Sequence, residues 1–401
     1  MPHMKLVHRR GDPDPRSILV ILPTWVGDFV MATPTLRAIR TRFANAHITF
    51  LVEPNLRDLA RGGDWMNECV EWPKKERRSP LHREYRDLVW DLRRRRFDWA
   101  VLLPNSLRSA LTARLVGAKR RIGFDRDGRG LLLTDRLPVR NRRGSAVNKR
   151  KVAWNSARAE ARGSNRSSHG QTSLPMPPGR FVPIPLVEYF ADLAEAIGCE
   201  RPGDRLELFT TADCEDSVER RLSLLDIADH RPLVVISPGA KYGAAKCWLP
   251  DRFAAVADRL IETEDAAVLV TCGPGEEPIA REIGSAMQRK GHVLDAPRLT
   301  LGELKSLVRR SGVLICNDAG PRHFARAFDV PVVTIFGPTH PEWTATSYEA
   351  ERIVRIDVDC GPCQQRVCPL GHLKCMTGVT VDAVYEAARD LLDIRVGHTV
   401  R

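Results

Sequence analysis

Residues 18–39 read ILVILPTWVGDFVMATPTLRAI. The stretch opens as an apolar run of strand length and closes with the spacing of an amphipathic helix. Between the two, Thr24-Trp25-Val26-Gly27-Asp28 sets a glycine and an acid where a buried strand gives way to a helix. A local reading is available: Gly lets the turn bend, and Asp is a good helix N-cap. A second reading follows from the fold this stretch implies. A buried strand running into a helix is the repeating unit of a parallel α/β sheet, and ligands bind at the carboxyl ends of such strands. Asp28 is therefore a candidate catalytic carboxylate.

Working outward, the same unit recurs. A helix is expected from Pro34 to Phe43, then a strand at AHITFLVE. WMNECVEW and WAVLLPNS read as further strands around a basic helix from Tyr85 to Arg96, followed by the helix SALTARLVGAK, the strand RRIGFD and the helix PLVEYFADLAEAIG. The segment from Asp204 to about Arg231 reads as a linker with one helix. The pattern then restarts with PLVVISPGA, PDRFAAVADRLIE, AAVLVTCGPGE, EPIAREIGSAMQRK, HVLDA, a helix over Leu301 to Arg310, SGVLICNDAG, PRHFARAF and PVVTIFGPTHP. VDAVYEAARDLLD is the closing helix. The expected fold class is α/β, with two doubly wound domains over 16–205 and 230–380 and a final helix over 381–395.

A chain of 401 residues that is 43% hydrophobic can fill two cores. It has no apolar stretch near the ~20 residues that span a bilayer. The opening MPHMKLVHRRGDPDPRS carries charge without an apolar segment, so no signal peptide is expected, and a cytoplasmic location follows. Ten cysteines in a chain this long do not make a disulfide scaffold. The net charge of +12 raises a nucleic-acid reading, but residues 141–180, with nine Lys or Arg and one Glu, supply +8 of it. That segment is rich in Ser, Gly and Asn and poor in aliphatics. It reads as a disordered basic insertion, suited to a solvated tether or to an anionic lipid surface rather than to nucleic acid.

Three loops after strands carry the chemistry of the second domain: SPGAKYGAAKCW, CGPGEE and NDAGPRHF. None has the spacing of a dinucleotide fingerprint or a Walker loop. NDAGPRHF opens a helix after a buried strand, so its backbone N–H groups around Asp318, Ala319 and Gly320 suit a phosphate. Lys241 and Lys246 sit in an otherwise small-residue loop and suit a second phosphate charge. Gly273 and Glu276 occupy a strand-end turn. His323 follows the phosphate loop, where a helix histidine is often satisfied by a backbone carbonyl.

Taken together, TWVGD before a helix, SPGAKYGAAKCWLP, VTCGPGE and CNDAGPRHFARAFDVPVVTIFGPTHP resemble the glycosyltransferase family 9 heptosyltransferases, in particular their heptosyltransferase II-like branch. The resemblance covers roughly 16–135 and 180–395. It implies a GT-B fold, two Rossmann-like domains facing across a cleft with the last helix packing back on the first. It also implies transfer of heptose from ADP-heptose to the inner core of lipopolysaccharide, with inversion and without a metal or other cofactor. On that reading Asp28 is the general base, with Thr24, Trp25 and Gly27 forming the acceptor-side loop. Lys246 and the helix start at Gly320 meet the diphosphate, and Glu276 accepts from ribose hydroxyls. Another nucleotide sugar and another surface glycan stay open within the family. The metal-binding DxD of other transferases has no good counterpart, since DVD at 357–359 lies late, beside a cysteine cluster.

That cluster, DCGPCQQRVCPLGHLKCM, holds Cys360, Cys363, Cys368 and Cys375 with His372 among them. A C-x2-C pair is common at zinc sites, whereas the following gaps of four and six are not a standard ligand spacing. Nonligating thiols are the expectation.

Overall fold

The computed structural model describes residues 7–8, 11–138, 183–225, 227 and 231–399. The basic segment 141–180 lies outside the described residues.

The first domain runs β1 (Ser17–Ile21), α1 (Val26–Arg42), β2 (His47–Val52), α2 (Arg57–Ala60), β3 (Glu68–Glu71), α3 (Arg83–Arg94), β4 (Trp99–Leu102), α4 (Leu107–Val116), β5 (Arg120–Phe124) and β6 (Asp135–Leu137). Two helices follow, α5 (Leu186–Ala196) and α6 (Ala212–Leu224). The second domain runs β7 (Leu233–Ser237), α7 (Pro250–Glu264), β8 (Ala267–Thr271), α8 (Glu277–Ala286), β9 (His292–Leu294), α9 (Leu301–Arg310), β10 (Val313–Asn317), α10 (Gly320–Ala327), β11 (Val332–Ile335) and β12 (Glu351–Val354). It ends with the single turn α11 (Lys374–Thr377) and the long α12 (Val381–Thr399). No helix among the described residues is long and apolar enough to cross a membrane.

Each domain carries one six-stranded sheet, ordered β3-β2-β1-β4-β5-β6 and β12-β11-β10-β7-β8-β9. Every neighbouring pair is parallel. The central strands are apolar without alternation because helices cover both faces: Ile18, Leu19 and Val20 are all fully buried. The direction of winding reverses between β1 and β4 in one sheet and between β7 and β10 in the other. The segments that follow β1, β7 and β10 therefore lie at switch points, where crossovers diverge and leave room for a ligand. Asp28, Lys246 and Asp318 follow those three strands.

Two expectations need correction. The first helix starts at Val26 rather than Pro34, and Pro34 lies inside it. A proline there cannot bond the carbonyl four residues back. Thr33 Oγ1 donates to that carbonyl of Val30 at 2.7 Å and supplies the missing partner. The described part of the final helix also packs on the second domain rather than back on the first. Val384, Tyr385, Ala388 and Leu391 of α12 complete the core of the second, with Ile236, Val268, Ile315 and Val333. Asp382 Oδ1 accepts from Arg259 Nη1 at 2.6 Å, which fixes α12 along α7.

The two domains are joined by direct contact as well as by the chain. Lys305 of α9, 1% exposed, donates to the carbonyls of Asp58 at 2.5 Å and Phe209 at 2.6 Å. A buried ammonium needs such acceptors, and here they belong to α2 and to the segment linking the domains.

Candidate active site

The strand-to-helix turn after β1 settles the local reading of Asp28. The N-cap of α1 is Trp25, with extended backbone and no side chain accepting from the first turn. Asp28 lies within that turn and its carboxylate makes no hydrogen bond among the described residues, so it does not act as a cap. It is instead a half-buried carboxylate without a structural partner. Burial pushes it up to about 6, and the Lys246 ammonium opposes the rise. Thr24 and Trp25 are exposed beside it.

Lys246 ends a single 3-10 turn, Ala244–Lys246, in the loop after β7. Its Nζ donates to Asp318 Oδ2 at 2.5 Å and to the Asp318 carbonyl at 3.2 Å, and it stands 4.8 Å from the centroid of the Tyr242 ring. Asp318 is held in turn by Thr339 Oγ1, which donates to Oδ2 at 2.7 Å. Arg322 Nη1 lies 3.8 Å from the other carboxylate oxygen of Asp318. Arg322 is itself locked by Glu351, with Nε and Nη2 donating to the two carboxylate oxygens at 2.5 and 3.0 Å. Burial opposes charge on Glu351, yet Arg322 holds its carboxyl below the usual range. Asn317 joins the same two loops, accepting from Trp248 N at 3.1 Å and donating to the Pro238 carbonyl at 2.5 Å.

Sequence reasoning singled out Lys246 and Asp318 but missed Asn317, Arg322, Thr339 and Glu351. Arg322 offered a signal, since it is a charged residue directly beside the loop and on a short helix that enters the core. Glu351 offered none, because it lies 29 residues further on in a polar stretch.

The amino end of α10 is open. Ala319 is its N-cap, with extended backbone and no side-chain hydrogen bond. Unbonded N–H groups and the helix dipole make such an end favourable to an anion. It meets the amino end of α1 directly: a Cβ on Gly320 would lie 2.6 Å from Val26 Cγ1, and a Cβ on Gly27 would lie 3.0 Å from His323 Cδ2. His323 is buried, and no backbone carbonyl of the described residues accepts from its ring. Its Nδ1 lies 3.5 Å from Arg326 Nη1, which assigns the acceptor role to Nδ1. Burial first, and then the charges of Arg326, Arg322 and Lys246, push the ring well below its ordinary value, so it is neutral.

Gly273 and Glu276 form the third loop. Glu276 Oε2 accepts from Gly273 N at 2.8 Å. A Cβ on Gly239 would lie 1.9 Å from the same carboxylate, so a larger residue there would displace the Glu276 side chain. Burial raises the Glu276 carboxyl, while Gly273 N and the exposed Lys241 pull it back. The site thus brings together Asp28, Gly27, Lys246, Asp318, Gly320 and His323. Glu276 and Gly273 line the adjacent turn with Lys241 nearby. Two helix ends and a lysine face one carboxylate of raised pKa, an arrangement able to take a proton on one side and stabilise an anionic leaving group on the other.

Comparison with known proteins agrees with that arrangement. The chain is 26% identical over 343 residues to lipooligosaccharide heptosyltransferase 2 of Haemophilus influenzae, covering 85% of this chain and 88% of that protein. It is 25% identical over 379 residues to lipopolysaccharide heptosyltransferase 2 of Escherichia coli, covering 94% and 98%. The solved structure of E. coli ADP-heptose lps heptosyltransferase II superposes with a TM-score of 0.70 at 23% identity, covering 94% of this chain and 99% of that one. The two parallel-sheet domains are those of the GT-B fold. The model of Glycosyltransferase family 9 (heptosyltransferase) matches residues 85–164 and 185–374, and the chain belongs to that family of glycosyltransferases.

Proposed function

We propose that this chain transfers a heptose from ADP-heptose to the inner core of lipopolysaccharide, by an inverting, metal-independent mechanism. The observation that carries the reading is Asp28: a carboxylate with no structural partner, raised to about 6, beside the Lys246–Asp318 pair and the open end of α10. Asp28 takes the proton of the acceptor hydroxyl as that oxygen bonds to the anomeric carbon. The bond from that carbon to the nucleotide diphosphate breaks on the opposite face, and ADP leaves with the electron pair. Lys246 and the N–H groups at Gly320 meet the charge that develops on the diphosphate, which is the part a divalent metal plays in other transferases. The Glu276 oxygen not engaged by Gly273 accepts from a ribose hydroxyl. Thr24 and Trp25 contact the acceptor.

The acceptor is lipid-linked, and we place the chain at the cytoplasmic face of the inner membrane as a peripheral protein. Support comes from α3, which exposes Arg83, Arg86, Arg93 and Arg94 around Trp90, itself 61% exposed. Cationic side chains around an exposed indole suit an anionic headgroup layer. The test is transfer itself: purified chain, ADP-heptose and heptose-deficient core acceptor, with the product's anomeric configuration read by NMR. A product of retained configuration, or a rate that needs added Mg²⁺, would overturn the mechanism.

A further inference from the structure

Four of the ten cysteines fall within sixteen residues after β12. Cys360, Cys363, Cys368 and Cys375 line a single cavity, together with His372 and Ala245. All ten cysteines are free, so none of the four is spent on a disulfide. The irregular spacing spoke for nonligating thiols. Their convergence on one cavity speaks against that.

Two of the sulfurs face N–H donors. His372 Nδ1 accepts the backbone N–H of Lys374 at 3.0 Å, which assigns the ring proton to Nε2. Nε2 lies 3.9 Å from Cys360 Sγ, so the ring is placed as a donor to that sulfur and not as a fifth ligand. The chain after Cys368 curls back on its sulfur through Gly371, whose φ of +70° few other residues adopt. The backbone N–H of Leu373, and those of Leu370, Gly371 and His372, face the Cys368 sulfur. Cys375 stands near Cys363, Cys360 and Cys368. Four soft sulfurs suit zinc or iron, not magnesium or calcium.

Among the described residues no three such groups already surround a common point at ligand distance. Holding one ion would therefore take rotation of the four side chains. The backbone between them is anchored already. Tyr242 OH donates to the Gln364 carbonyl at 2.6 Å and Ala245 N to the Arg366 carbonyl at 3.1 Å. Gln364 and Arg366 lie between the second and third cysteines, and Tyr242 and Ala245 lie in the loop that carries Lys246.

We propose that Cys360, Cys363, Cys368 and Cys375 form a tetrathiolate site for one divalent transition metal, zinc or iron, with His372 donating to Cys360 Sγ, and that the ion clamps the chain backing the Lys246 loop. Each sulfur–metal bond forms as that thiol gives its proton to solvent, and no electron changes hands. The ion is structural, and the inference does not depend on which sugar is transferred.

The test is metal analysis of the full chain, purified under reducing conditions and desalted. Close to one zinc or iron per chain is expected, as for other four-cysteine sites. Combining Cys360→Ser, Cys363→Ser, Cys368→Ser and Cys375→Ser should abolish it, while His372→Ala should retain most of it. Should the quadruple variant fail to fold, the unmodified chain still decides. Stripped of metal and given Co²⁺, it should develop the thiolate-to-cobalt charge-transfer absorption and the visible bands of tetrahedral cobalt. A chain that carries less than about a tenth of an equivalent and gives no thiolate band with Co²⁺ overturns the proposal. So does metal that persists in a folded quadruple variant.

Discussion

A Cβ on Gly320 would lie 2.6 Å from Cγ1 and 2.8 Å from Cβ of Val26, so the first turns of α10 and α1 touch across the boundary between the two sheets. Val26 precedes Gly27 and Asp28, which ties the position of the carboxylate to the anion-facing end of the other domain. The two glycines serve one purpose, letting the two helix ends come this close.

Gly320→Ala should therefore damage transfer more than Gly27→Ala. The first forces the two helix ends apart against a β-branched side chain, an overpacking cost of roughly 1–3 kcal/mol. The second meets only the edge of His323, at 3.0 Å. Comparing kcat/KM with melting temperature for each checks this. Equal effects on transfer would mean that the contact has no bearing on the site.

Asp28→Asn should lower turnover by ~10²–10⁴ while leaving nucleotide affinity within about twofold, since the lost group acts on the acceptor. In the unaltered protein kcat/KM should rise with pH through about 6, where Asp28 loses its proton. The variant should lack that limb. A loss of only a few-fold would remove Asp28 from the chemistry.

The same substitution should make the protein more stable. The Asp28 carboxyl rises from 3.8 to about 6 on folding, so between those values the native state binds more protons than the unfolded chain. Stability from this group is then present at low pH and lost as pH rises through about 6. At neutral pH the charge costs the fold roughly 1–3 kcal/mol. Urea unfolding at pH 7 should show Asp28→Asn ahead by about that amount, with the advantage fading near pH 4.

Lys246→Ala should weaken donor binding and lower kcat by ~10²–10³, because the ammonium meets the diphosphate both before and during its departure. It is also the charge that opposes the rise of Asp28. Its removal should move the acidic limb of the pH profile upward, a shift that simple loss of a binding contact would not produce. Added Mg²⁺ should not restore the rate.

ADP should protect the chain against thermal unfolding, by about 2.7 kcal/mol at a hundredfold excess over Kd, and UDP and GDP by much less at equal concentration. Differential scanning fluorimetry with the three nucleotides decides it. Better protection by UDP would replace the donor while keeping the fold.

Most of the architecture was legible because its signal is local. Ile18 to Leu22 is too apolar for anything but a strand covered on both faces, and a glycine loop after such a strand marks a ligand site in any doubly wound sheet. Pro34 misled because a proline reads as a helix start, and the compensating Thr33 hydroxyl is apparent only once the turn is built. The stripe Val384, Ala388, Leu391 announces a buried helix face, yet periodicity cannot say which sheet buries it. The Arg322–Glu351 pair was invisible for a related reason. The fold, not the spacing, brings a residue after β10 against the first residue of β12. Lys246 and Asp318 were found singly, whereas their mutual salt bridge joins two loops 72 residues apart.

One apolar cluster contains Ile18, Phe29 and Leu36 together with Leu307, Phe324 and Val332, so it runs without a break from the first sheet's helices into the second's. Interfaces between ordinary domains are smaller and more polar, and each side melts on its own. Here neither half can lose its packing without stripping the other's, and a cut in the linker would leave two fragments that each bare the same oily face. Calorimetry should accordingly record a single cooperative transition, in which the two sheets share one melting point.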